Sequence, residues 1–270
     1  PVFLQYLLGL VGNVSLPDGT VVDGTNAAKV LMHDVYWNYP VEESDGIFAS
    51  VASAAFDKIL GGIGDVDVTK LVGAFERGAE EGRLIAWMRN DDEQNAIKET
   101  GIDASLPDPD DPSADPVAGV YFNNLSFSKL DWYLNADTQI GQGVKNGDGT
   151  CSYRITVTLT NIMTREEAGK LPDYVAASAP DAARDDERLN VSLFAPTGGN
   201  ISDLTVEGTQ FGLGAAAWHG VPFYSGTVDL HAGETTTITY TLTTSAEAGD
   251  KPLTLRQTPT CQAARDSASA

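Results

Sequence analysis

The sequence predicts an α+β chain: an N-terminal α/β unit, read as truncated at its start, followed by an antiparallel β-sandwich. Three observations carry this reading. Residues 1–102 mix helical apolar periodicity with short β-prone runs, and residues 103–117 form an Asp/Pro-rich stretch with almost nothing to bury. Residues 118–261 hold seven or eight short, Thr/Val-rich strands separated by turn signals. The length of 270 residues suits one large domain or two ordinary ones. The tail 262–270 has no periodicity and reads as disordered.

Each element follows from local chemistry. An apolar segment runs from Val2 to Val11, after which Val14-Ser15-Leu16 and Thr20-Val21-Val22 flank a Pro17-Asp18-Gly19 turn and predict a hairpin. Asp23-Gly24-Thr25 offers an N-cap for a helix from Asn26 to Tyr36, ended by Pro40. Ser44 caps a second helix in which Ile47, Phe48, Val51, Ala55, Ile59 and Leu60 share a face, and Gly61-Gly62 stops it. Thr69 opens a third, Arg83 to Met88 reads as a strand, and Asp91 or Asp92 caps a last short helix. Beyond residue 117 the expected strands are 120–122, 130–134, 153–159, 189–194, 204–206, 227–230, 235–242 and 253–255, with turns at Asn146-Gly147-Asp148-Gly149 and Gly198-Gly199.

Charge narrows the partners. Against 17 Lys+Arg stand 38 Asp+Glu, a formal net charge of −21 at pH 7. A polyanionic duplex or an anionic membrane surface would meet a field of its own sign, so no nucleic-acid partner and no membrane contact by this fragment are expected. No run reaches the ~20 apolar residues of a membrane span. The start at Pro1, without Met or a basic leader, reads as a cut inside a longer protein.

Candidate chemistry is sparse. No G-x-S-x-G elbow, Walker loop or dinucleotide fingerprint occurs, and His33, His219 and His231 are isolated, so no catalytic residue is assigned. Arg184 and Arg188, interleaved with Asp185, Asp186 and Glu187, read as a solvated loop. Cys151 and Cys261 are read either as a disulfide, closing a loop of about 110 residues and implying an oxidising compartment, or as two free buried thiols. No cofactor is expected beyond calcium, for which Asp108, Asp110 and Asp111 are the candidate oxygen ligands; the alternative is a hydrated linker. Trp37, within Tyr36-Trp37-Asn38-Tyr39, and Trp218, within the run from Trp218 to Tyr224, are candidate sugar-stacking rings, with ordinary helix-end packing as the alternative for the first cluster.

Several segments also resemble a family. Val14 to Thr20, Asn26 to Tyr36 with Tyr39-Pro40, Ala79 to Leu84, Val120 to Asn123, Ser128 to Leu134, Thr158 to Asn161 and Leu171 to Val175 are similar to the actinobacterial family called domain of unknown function 4012. That resemblance implies a large, membrane-anchored cell-surface protein of Gram-positive bacteria, with this chain in its extracellular part. The order of hairpin and helices is faintly similar to the LytR-CpsA-Psr enzymes, which attach glycopolymers to peptidoglycan.

Together these readings predict an extracytoplasmic, non-enzymatic surface module for envelope interaction, adhesion or a stalk, with a cell-wall or surface glycan or protein as partner. A truncated glycopolymer-processing enzyme of the LytR-CpsA-Psr type and a carbohydrate-binding module are the alternatives.

Overall fold

In a computed structural model the chain divides into two compact units, residues 1–105 with 171–176, and residues 106–170 with 177–270. The structure describes all residues except 17, 63–65, 101, 104, 106, 208, 211–213, 263–266, 269 and 270. The α+β class predicted from sequence holds: helices gather in the first unit and antiparallel sheets in the second.

The first unit is built around helix α1 (Val2–Val11), whose Leu8 is almost fully buried. Gly12, at φ 91°, ends α1 with its N–H on Leu8 O. The hairpin β1 (Val14–Ser15) and β2 (Val21–Val22) sets Val14 opposite Val22, both buried. Residues 27–38 then form one helical run: α2 (Ala27–Lys29), a π-turn Val30–Asp34 and α3 (Val35–Asn38). The π-turn lets residues five apart, Val30 and Val35, face the same core. Its first free amides are met from two directions. The Ala28 N–H donates to the Gln5 side chain of α1 at 2.9 Å, and Ala27 N–H to Asp23 O at 3.1 Å.

Three helices complete this unit. Helix α4 (Val41–Gly62) begins three residues before Ser44, directly after Pro40, whose fixed φ suits a helix entrance; Ser44 is instead buried in the first turns. Helix α5 (Val68–Glu80) is capped by Asp67, which accepts the Thr69 N–H at 2.9 Å. Asn90, rather than Asp91 or Asp92, caps α6 (Asp91–Thr100) by accepting the Asp92 and Glu93 amides. The strand expected over Arg83 to Met88 does not form. Its only backbone bond to a distant segment among those described is Ala86 N–H to Ile102 O, so no ladder is available. The core joins Leu8, Val14, Val22, Val30, Val35, Ile47 and Val51.

The second unit is a sandwich of two sheets. One runs in the order β10 (Gly214–Trp218), β11 (Val221–Leu230), β7 (Glu187–Phe194), β3 (Val117–Asn124), β13 (Thr254–Gln257), antiparallel except for β3 with β13. The other runs β4 (Leu134–Ile140), β6 (Cys151–Asn161), β12 (Thr235–Thr243), β8 (Asn200–Val206), β9 (Thr209–Gln210). The short β14 (Ser267–Ala268) lies beside β4, and β5 (Val144–Lys145) beside β6. Inward positions alternate along the strands, so Val120, Leu189, Val191 and Leu193 of one sheet meet Leu134, Ile155, Val157, Leu159, Ile238 and Leu242 of the other in one core. The strand expected at 130–134 is a 3-10 turn (Leu130–Tyr133) leading into β4. The inward residues of β4 include Ala136 and Thr138, too weakly apolar for the alternation to stand out.

Within the 103–117 stretch read from sequence as a linker, residues 108–113 lie against loops of this same unit. Thr197 Oγ1 donates to Asp108 O at 3.0 Å, Ser245 Oγ to Pro112 O at 2.5 Å and Lys251 Nζ to Ser113 O at 2.6 Å. Most of the tail 262–270 lies outside the described residues.

Candidate functional site

The outer face of the five-stranded sheet grades from aromatic to polar to charged. Register alone produces this. Phe194 of β7 stands opposite Phe223 of β11 and Gly119 of β3; Ser192 opposite Ser225 and Tyr121; Asn190 opposite Thr227 and Asn123; Arg188 opposite Asp229. The Phe194 and Phe223 rings stack 4.7 Å apart at 12°, and Tyr121 meets Phe194 edge-on at 5.6 Å. Gly119 is required beneath them, because a Cβ there would lie 2.9 Å from both Phe194 Cβ and Tyr121 Cε2.

At one border of this face is Trp218, the last residue of edge strand β10 and 54% exposed. His219 (φ 47°) and Gly220 (φ 83°) make the two-residue turn into β11; both positive angles suit the right-handed twist of a tight hairpin. In the next row Ser192 and Ser225 share a hydrogen bond of 3.2 Å, and Ser225 donates to Asn190 Oδ1 at 2.8 Å. Beyond them Arg188 holds Asp229 through Nε at 2.7 Å and Nη2 at 3.3 Å. Half-buried rings beside hydroxyl and amide groups can take a ligand that is apolar on one side and hydroxylated on its rim.

The other residues singled out in the sequence do not join this face. Trp37 stacks on His33 at 5.3 Å and 17° within the first unit. Asp108 and Asp111 are spent on their own turns, accepting Asp110 N–H at 2.9 Å and Ser113 N–H at 3.0 Å. Among the described residues no three His, Cys, Asp or Glu side chains converge to hold a metal ion. His231 and Asp185 line a polar hollow of about 490 Å³ with Arg165 and Glu234, but His231 Nδ1 stays 3.9 Å from Asp185, and the 231–234 turn is closed on itself by Glu234.

The two readings of the cysteines, a disulfide or two thiols, resolve against the crosslink, since no disulfide joins Cys151 and Cys261 in the structure. Cys151 opens β6, whereas Cys261 precedes Gln262, whose side chain donates to Trp132 O beside the far end of β6. An eleven-residue strand therefore separates them, roughly 30 Å against the ~7 Å limit for Cα atoms joined by a disulfide. The charged run 184–188 is also corrected, because Glu187 is fully buried and Asp186 nearly so. Phe223 lies in the aromatic run 218–224 singled out from sequence, whereas Tyr121 and Phe194 do not stand out there; their signal is that each occupies an outward position in an alternating strand.

Residues 1–36 match the family model described as "Protein of unknown function (DUF4012)", which supports the family resemblance. No curated protein matches the chain. Among solved structures, a protein of Legionella pneumophila subsp. pneumophila described as nutrient binding is similar at 10% identity and a TM-score of 0.28, covering 49% of this chain and 45% of that one. An M1 zinc metallopeptidase of Deinococcus radiodurans is similar at 14% identity and a TM-score of 0.22, covering 42% and 20%. The chain thus spans less than half the length of either. Among the described residues, no helix is long and apolar enough to cross a membrane.

Proposed function

We propose that this chain is a non-enzymatic, glycan-contacting module of a bacterial cell-surface protein, and that it binds through the outer β10-β11-β7-β3 face. One observation carries the reading: the aromatic cluster of Tyr121, Phe194 and Phe223, bordered by the exposed Trp218, adjoins the Ser192, Ser225 and Asn190 hydroxyl and amide groups. Sugar rings present C–H faces that stack on aromatics and hydroxyl rims that exchange hydrogen bonds, and this face offers both in adjacent rows. The family resemblance supports placement at the cell surface, in actinobacteria.

The test is a binding screen of the whole chain against immobilised neutral polysaccharides, followed by calorimetry on any that bind. Trp218→Ala and Tyr121→Ala are expected to weaken binding by about tenfold or more while leaving the circular dichroism spectrum unchanged. Binding that is indifferent to both substitutions, or no binding to any polysaccharide in the panel, overturns the proposal.

A further inference from the structure

The hairpin of β10 and β11 leaves one sheet edge open. Gly214 to Trp218 are exposed throughout and pair only with β11 among the described residues, in an unbroken register from Gly214 opposite Ser225 to Trp218 opposite Val221. The two-residue turn at His219-Gly220 makes Trp218 and Val221 a hydrogen-bonded pair, and such pairs alternate along an antiparallel ladder. Gly214, Ala216 and Trp218 therefore direct their backbone groups to β11, whereas Ala215 and Ala217 turn theirs outward. Pro222, which has no N–H to donate, accordingly stands opposite Ala217. No backbone bond among the described residues meets these outward groups.

An open edge is ordinarily guarded by a charge, a proline or a bulge. The opposite edge of this sheet is guarded, since β13 carries Arg256 and follows Lys251-Pro252. Strand β10 has none of these devices. From Gly208 to Val228 the sequence contains no Asp, Glu, Lys or Arg, the longest such stretch in a chain of net charge −21. Two copies of so acidic a chain repel each other except where neither presents a carboxylate, and this edge is such a place. We propose that β10 pairs antiparallel with β10 of a second copy, about a two-fold axis at Ala216. In that register Ala215 stands opposite the partner's Ala217, and the outward groups of each pair exchange both hydrogen bonds. Trp218 falls opposite the partner's Gly214 in a close, non-hydrogen-bonded pair, where an indole covers a residue without a side chain. The alanines between them carry nothing long enough to obstruct the approach. The axis is perpendicular to the sheet, so both outer faces stay on one side, but the pairing does not depend on what those faces bind.

Five residues a side make a small interface, so the dimer is reversible and concentration-dependent. The experiment follows the whole chain by sedimentation velocity from about 5 µM to about 500 µM, and reads amide exchange of residues 214–218 by mass spectrometry at both ends of that range. The wild type is expected to move from the 28.6 kDa monomer toward a dimer, with slower exchange in 214–218 at the higher concentration. It should also dimerise more strongly in about 500 mM than in about 50 mM NaCl, because salt screens the repulsion between copies. Ala215→Pro deletes an outward N–H without touching the β11 ladder, and Ala216→Glu sets two like charges together on the axis; each should abolish the dimer. Val144→Glu, at an exposed position on β5, should keep it. A wild type that stays monomeric throughout overturns the inference, as does a dimer that either edge variant retains, or exchange in 214–218 that is equally slow at both concentrations. Should Ala215→Pro fail to fold, Ala216→Glu, on a strand with every residue exposed, decides alone.

Discussion

Gly24 lies against Gly9: a Cβ at Gly24 would come within 2.4 Å of Gly9 Cα and 2.7 Å of Gly9 N. Helix α1 and the turn that launches the 27–38 helix thus touch backbone to backbone. Gly24→Ala should destabilise the first unit by about 2–4 kcal/mol, because neither backbone can retreat. Gly46, inside α4 with open space at its Cβ position, is the internal control; Gly46→Ala should stabilise by up to ~1 kcal/mol. Urea unfolding of both variants checks the opposite signs.

Glu81 gathers three donors: Tyr6 OH at 2.6 Å, Arg77 Nε at 2.7 Å and Arg83 Nε. Burial pushes its carboxyl up, but the hydrogen bonds from Tyr6, Arg83 and Arg77 outweigh this and hold it below the model-peptide value of 4.5. A depressed native pKa means stability that is present above the unfolded value and lost as pH falls through the native one. The first unit should therefore weaken below about pH 4.5, and Glu81→Gln should flatten that limb; thermal unfolding from pH 3 to 7 reads the difference.

Tyr240 is fully buried in the sandwich core, and its Oη has no partner among the described residues. Removing the hydroxyl removes an unmet polar group, so Tyr240→Phe should be neutral or stabilising by up to ~1 kcal/mol. Burial also raises the native phenol pKa, so stability is full below about pH 10 and falls as pH rises beyond it, where only the unfolded chain ionises. Tyr240→Phe should lose part of that alkaline slope, measured against wild type from pH 9 to 11.

With no disulfide between Cys151 and Cys261, the electrophoretic mobility of the unfolded chain should be unchanged by dithiothreitol. A shift on reduction would restore the crosslink.

Much of the sandwich was legible because β6, β7 and β12 carry strict two-residue alternation, and burial follows it. The candidate face was legible only in part. Trp218 stood out as an aromatic in a loop-like run, but the Phe194–Phe223 stack depends on which strands become neighbours, and no local pattern encodes that pairing. Local polarity misled at Glu187, where four charged neighbours suggested solvent although strand parity turned the side chain inward. At Arg83 to Met88 the propensity was right for a strand, but among the described residues no strand pairs with it, and tertiary context decided.

The parallel pairing of β13 with β3 joins segments far apart in sequence: the Phe122 N–H reaches Thr258 Oγ1 across 136 residues. During synthesis, the β3 edge therefore stays unsatisfied until nearly the whole second unit has left the ribosome. Such long-range closure places folding in the slow, milliseconds-to-seconds regime of all-β domains, and makes the unpaired Ala118 to Val120 edge the point at which a nascent chain is most open to pairing with a neighbour.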